Sequence, residues 1–152
     1  MKKSDIKILN RDARFSFELL DEFDAGIMLT GTETKSLRNG GGSFNDAYCM
    51  MKSGELWLKN LHIPEYSHGN LNNHEPTRLR KLLLTHRELK KIDAKIREKG
   101  LTVVPVELFM SERGFFKVRV ALGRGKKSFD KRNTIKDRDA KRTLDRIKKQ
   151  LR

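Results

Sequence analysis

Lysine, arginine and a single phenylalanine crowd the stretch Gly123-Arg124-Gly125-Lys126-Lys127-Ser128-Phe129-Asp130-Lys131-Arg132. Ammonium and guanidinium groups at this density suit phosphates, and Phe129, an aromatic ring isolated among cations, suits stacking on a base. From Gly123 to Arg152 there are 13 Lys and Arg against 4 Asp and Glu, so +9 of the net charge of +14 lies in the last 30 residues. Such a density repels itself, disfavours a packed core and is relieved by a polyanion. The segment Gly123–Ser128 has a superficial likeness to a phosphate-cradling nucleotide loop. That spacing needs Gly at position 120 and Ser or Thr at 127, where Val120 and Lys127 stand. The glycines are better read as releasing a flexible arm whose lysines meet phosphates.

Elsewhere the chain offers little for catalysis. The pairs Asp24 with Glu22 and Glu33 with Lys35 fit solvated turns, and a nuclease using Glu33 and nearby acids is the outside alternative. His62, His68, His74, His86 and the lone Cys49 have no zinc spacing, so no metal, cofactor or catalytic residue is expected. A pI near 10.1 points to nucleic acid first and an anionic membrane surface second. The N-terminus lacks an apolar leader segment and no apolar run reaches membrane-spanning length, which predicts a cytoplasmic chain without a membrane partner.

The elements that must position this chemistry follow from periodicity. Ala13, Phe15, Phe17 and Leu19 alternate with polar residues and predict a strand. Asp21–Gly26 predicts a polar reversal, with Ile27–Leu29 as the second arm of a hairpin. The glycines at 40–42 predict a sharp change of direction. Ser53-Gly54 predicts a hairpin between residues 47–52 and 55–61, with Trp57 in the core. Arg78–Leu84 is ambiguous on its own, but Thr85-His86-Arg87-Glu88 is a capping box. It predicts a helix from His86 to Lys99, stopped by Gly100, after a strand whose leucines at 82–84 are mostly core. A hairpin about 111–114 joins Leu101–Phe109 to Phe115–Leu122. In the second arm Phe116, Val118, Val120 and Leu122 face one way, Lys117 and Arg119 the other. Pro105, with no N–H, requires an edge or a bulge.

The sum is a mainly β chain: a small antiparallel barrel over 1–122, then a basic tail over 123–152. In the tail Ala140, Leu144, Ile147 and Leu151 form one narrow apolar stripe, too little to hold a helix in water, so it is expected to order on a partner.

Four segments together resemble the tmRNA-binding protein family, small protein B (SsrA-binding protein). They are Gly31-Thr32-Glu33-Thr34-Lys35-Ser36-Leu37-Arg38-Asn39-Gly40, Pro76–Leu84, Gly100-Leu101-Thr102-Val103-Val104-Pro105 and Gly125–Arg132. They span nearly the whole chain. The resemblance implies a closed antiparallel barrel related to oligonucleotide-binding (OB) folds, with a few helices and a tail disordered when free. It implies an adaptor, monomeric on RNA, that binds the tRNA-like domain of tmRNA and delivers it to stalled ribosomes for trans-translation. The tail would meet small-subunit ribosomal RNA in the decoding centre and the vacant mRNA channel, folding there as a helix.

By motif match the RNA-contacting positions fall on Asn10, Asp24, Leu83 and Lys117, with Arg119 adding to the positive strand face. Those of the ribosomal tail are Gly125, Lys126, Lys127, Phe129, Asp130, Lys131, Arg132, Ile147 and Lys148. Asp24 stands where the family commonly has Glu, and Phe129 where it has His or Tyr, which keeps stacking but not a side-chain hydrogen bond. The competing possibility is a general single-strand RNA-binding or ribosomal protein with a basic arm.

Overall fold

A computed structural model describes residues 6–69, 73–126 and 128–150; of 128–131, 133, 134 and 137 the backbone alone is described. In chain order the elements are β1 (Lys7–Leu9), α1 (Arg11–Ser16), β2 (Phe17–Ile27), α2 (Gly31–Arg38), β3 (Tyr48–Lys52) and β4 (Glu55–Lys59). There follow β5 (Arg80–Leu83), α3 (His86–Lys99), β6 (Thr102–Met110), β7 (Phe116–Gly125) and α4 (Ser128–Gln150).

The seven strands form one antiparallel sheet in the order β1-β6-β7-β2-β5-β4-β3. Strand β7 is its spine. Phe116, Val118, Val120 and Leu122 are buried as the alternation requires, and Lys117 and Arg119 lie on the other face. Inside, they meet Ala25, Leu56, Leu58, Leu82 and Leu108, with Ile92 of α3 in the same core. The end strand β3 lies near β6, so the sheet curls strongly, and Cys49 and Met51 pack against the core. Burial pushes the Cys49 thiol well above its ordinary range, so it behaves as a small apolar side chain. Among the described residues, however, no ladder joins the two end strands. The expectation of a closed barrel is thereby corrected to an open, curled sheet.

The turn and cap signals hold. Ser53 and Gly54 have φ of 54° and 76°, which suits the two-residue turn between β3 and β4. The Thr85–Glu88 capping box is formed, and Gly100 ends α3 in the left-handed conformation. The ladder slips between Pro105 and Glu107, so β6 is bulged there rather than at an edge.

Two of the expected elements differ. Residues 11–16 are helix α1, so the predicted strand begins only at Phe17. Asp21–Gly26 does not reverse the chain but lies within β2, with a bulge between Leu19 and Glu22. Phe23, Ala25 and Ile27 go to the core, while Asp24 stays exposed. Residues 31–38 are helix α2, capped by Thr30, whose hydroxyl accepts from the Glu33 amide while the Glu33 carboxylate accepts from the Thr30 amide at 2.8 Å. The expected boundary after Leu122 also falls inside β7, because Gly123, Arg124 and Gly125 pair with Leu19, Glu18 and Phe17. Beyond it the tail is the helix α4, which meets the body at α1, where the Arg138 guanidinium lies 5.5 Å from the Phe15 ring centroid.

Glu33 is buried, not solvated. Its carboxylate accepts from Arg78 Nη2 at 2.6 Å and from Arg80 Nε, and Arg80 also donates to the carbonyls of Leu61 (2.5 Å) and Pro76 (3.1 Å). Burial raises the Glu33 pKa, but the bonds from Arg78, the Thr30 amide and Arg80 together outweigh it and hold the pKa below its ordinary 4.5. A depressed folded pKa contributes stability that is complete above about pH 4.5 and is lost as pH falls through the folded value. Glu33→Gln strands the buried Arg80 charge and should cost about 3–5 kcal/mol in urea unfolding at pH 7. The gap to wild type should narrow below pH 4.5. A loss under about 1 kcal/mol would show that the ion pair does not hold the fold.

Candidate nucleic-acid interface

Side chains alternate across a strand, so the pairing register carries outward residues of neighbouring strands into rows. One row crosses Leu9, Glu107, Arg119 and Asp24, on β1, β6, β7 and β2. The next crosses Lys7, Phe109, Lys117, Gly26 and Leu83, ending on β5. Four of the five residues expected to contact RNA, Asp24, Leu83, Lys117 and Arg119, are therefore neighbours on the outer face.

Their electrostatics differ. Arg119 Nε donates to Asp24 Oδ1 at 3.0 Å and Nη1 to Glu107 Oε1 at 2.6 Å, with the guanidinium 5.2 Å from the Phe109 ring centroid. Lys7 Nζ lies 3.3 Å from Glu107 Oε2. The Asp24 hydrogen bond, with the Asp24 and Glu107 charges, raises the Arg119 pKa despite partial burial. Arg119 is thus balanced by carboxylates and fixes Asp24 through Oδ1, and the other Asp24 oxygen has no hydrogen-bond partner among the described residues. Lys117 has no acidic partner among the described residues and can meet a phosphate directly. Between it and Leu83, Gly26 leaves bare backbone, and a shallow cleft opens there, lined also by Phe115 and Arg38.

Asn10 is set apart. It follows Leu9 at the far end of the first row, about 15 Å from Asp24 at three strand spacings. Its side-chain amide donates to the Pro105 carbonyl at 2.7 Å and its backbone amide to Val106 at 2.9 Å, which pins β1 onto the bulge of β6. Its side-chain oxygen has no partner among the described residues.

The tail residues form a second group. Gly125 ends β7, eight residues or about 26 Å along the strand from Lys117. The Lys126 amide donates to the Ser16 carbonyl at 2.9 Å. Arg132, Ile147 and Lys148 are exposed on α4. Lys127 lies outside the described residues, as do the side chains of Phe129, Asp130 and Lys131, whose backbone is helical.

Sequence reasoning passed over Phe115, Gly26 and Arg38. Phe115 and Phe116 are adjacent in a strand hairpin, so one of them must face solvent; that signal was present. Arg38 needs helix α2, announced by the Thr30–Glu33 capping box. His74 is buried and satisfied, with Nδ1 2.9 Å from Thr32 Oγ1 and Nε2 2.8 Å from the Ile63 carbonyl. Among the described residues no cluster of His, Cys, Asp and Glu could hold a metal ion, and no helix is long and apolar enough to cross a membrane.

Residues 7–150 match the family described as SmpB protein. The SsrA-binding protein of Parabacteroides distasonis is 52% identical over 143 residues, 94% of each chain. That of Phocaeicola vulgatus is 49% identical over 147 residues, 97% of this chain and 98% of its own. A chain of the solved structure described as "tmRNA-SmpB: a journey to the center of the bacterial ribosome" is 45% identical. It covers 81% of this chain and 86% of its own, with a TM-score of 0.67. With sequence and fold both matching along most of its length, the chain belongs to the SmpB protein family.

Proposed function

We propose that the chain is a cytoplasmic RNA-binding adaptor, without catalytic activity, that binds the tRNA-like domain of tmRNA and delivers it to stalled ribosomes for trans-translation. The observation that carries this is the 45% identical fold match to a protein solved as tmRNA-SmpB in the ribosome. The curled sheet, with β3 near β6, supports an OB-like architecture as the RNA-binding body.

The two groups of residues support two tasks. On the sheet, Lys117 meets a phosphate, Asp24 accepts a bond from a base or a 2′-hydroxyl, and Leu83 gives apolar contact. Arg119 positions Asp24, and Asn10 holds the rim of the sheet and offers its oxygen. The tail supplies the second task. Ile135, Leu144 and Ile147 are 45%, 58% and 46% exposed, so helix α4 buries little that would hold it in isolation. We infer that it is marginal in the free protein and gains order from ribosomal RNA. Gly125, Lys126, Lys127, Phe129, Asp130, Lys131 and Arg132 enter the decoding centre, and Ile147 and Lys148 the mRNA channel.

Three outcomes test this. The chain should hold the tRNA-like domain more tightly than unrelated RNA of equal length in filter binding; equal affinity would favour a general RNA-binding protein. With about 6 phosphates engaged, log K should fall with log salt at a slope near −4 to −5, and Lys117→Ala should weaken binding and reduce that slope by about 1. A chain ending after Lys126, which keeps β7 whole, should retain affinity within a few-fold but lose peptide tagging in a reconstituted translation assay. Lost binding would place the tail in the tmRNA site.

A further inference from the structure

We propose that Glu107 is a specificity-determining residue: its carboxylate takes the place of an RNA phosphate between Lys7 and Arg119, and so denies both cations to the backbone of unrelated RNA. The inference rests on the RNA-binding role proposed above and concerns what the outer face refuses.

The bulge of β6 puts this acid on the outer face. Val103 lies in the core before the slip between Pro105 and Glu107, and Leu108 and Met110 lie there after it. The extra residue therefore changes the phase of the strand and turns Glu107 outward, opposite Leu9 and Arg119. There the carboxylate bridges two cations as a phosphate would. Its Oε1 accepts from Arg119 Nη1 at 2.6 Å, and its Oε2 lies 3.3 Å from Lys7 Nζ. The Glu107 side chain is only 7% exposed, against 55% for Lys7 and 35% for Arg119. Salt screens a partly buried pair much less than an exposed one, so both cations stay occupied in the free protein.

On its other side Arg119 Nε donates to Asp24 Oδ1 at 3.0 Å. Lys7, Glu107, Arg119 and Asp24 thus form a neutral quartet in a chain of net charge +14. A phosphate finds no surplus cation there, and it carries no sequence information. An RNA that is to be held across the quartet must offer Asp24 a donor, from a base or a 2′-hydroxyl placed by its own fold. Discrimination then comes from closing the face to the wrong partner as well as from contacts to the right one. Loss of the Glu107 charge would open it: a phosphate from any RNA could bridge Lys7 and Arg119 in the vacated place.

The test is filter binding of the full chain, over a salt series, to the tRNA-like domain of tmRNA and to an unrelated RNA of equal length. Glu107→Gln should tighten binding of the unrelated RNA roughly five- to tenfold at about 0.1 M salt and steepen its salt slope by about 1. The tRNA-like domain should change by less, because Arg119 freed from Glu107 holds Asp24 less firmly, so selectivity falls. Glu98→Gln removes the same charge from an exposed site on α3 and should leave selectivity at the wild-type level. Lys7→Gln alters only an exposed side chain and should leave the slope for unrelated RNA unchanged, since Lys7 is already occupied. Three results would overturn the assignment of Glu107 alone, given selective wild-type binding. They are no tighter binding of unrelated RNA by Glu107→Gln, an equal gain in Glu98→Gln, or a slope reduced by about 1 in Lys7→Gln. Absence of selective binding by wild type would overturn the RNA role and the Glu107 assignment with it.

Discussion

A single buried carboxylate joins the segments that frame the outer cleft. Glu33 caps helix α2, binds Arg80 of β5 and holds Arg78, which also donates to the Met28 carbonyl just past β2. Arg80 then reaches the carbonyls of Leu61 and Pro76 in the long connection between β4 and β5. The Glu33–Arg80 pair is fully buried, so removing either member leaves a buried charge unmatched, while Arg78 closes the network from a partly exposed position. The consequence is felt at the surface. The ion pair ties α2, which carries Arg38, to β5, which carries Leu83, beside the core packing of Leu37 and Leu82.

Above that network the sheet sorts its charges. Period-two alternation in β7 sends Phe116, Val118 and Val120 inward and Lys117 and Arg119 outward, and the ladders to β2 and β6 lock the phase. Adjacent outward cations then have opposite fates. Arg119 is placed between Asp24 and Glu107 and becomes part of the scaffold, while Lys117, two residues along the strand, has no acidic partner among the described residues. Net charge alone would have weighted the two equally.

Much of this was legible in the sequence, and the failures have physical causes. The β7 alternation, the Ser53-Gly54 turn, the Thr85 capping box and the Pro105 bulge are local signals, and each appears where expected. The acidic run in β2 looked like a turn because Asp21, Glu22, Asp24 and Gly26 resemble turn composition. The alternating Phe23, Ala25 and Ile27 were the better guide, masked by a phase shift at the bulge. The alternation of Ala13 and Phe15 reads as a strand, yet residues 11–16 form α1, which packs beside β6 and buries only Ala13. Closure of the sheet depends on pairing between ends distant in sequence, which no local pattern reports. At the site, Lys117 and Leu83 were legible as types, but their union around Gly26 needs the register of three strands. The pairing of Arg119 with Asp24 needs it too.

The chain thus combines a curled sheet, on whose outer face we place RNA recognition, with a cationic extension about 26 Å away at the other end of β7. The face is pre-formed by buried interactions, whereas the extension has little apolar surface to hold it. The most direct test of this division is an amide and methyl NMR titration of the full chain with the tRNA-like domain of tmRNA. Shifts should concentrate on Gly26, Leu83, Asp24 and Lys117 and leave the outer face of α3 and the end of α4 unchanged. Shifts centred on α3 or α4, with these four residues silent, would contradict the account.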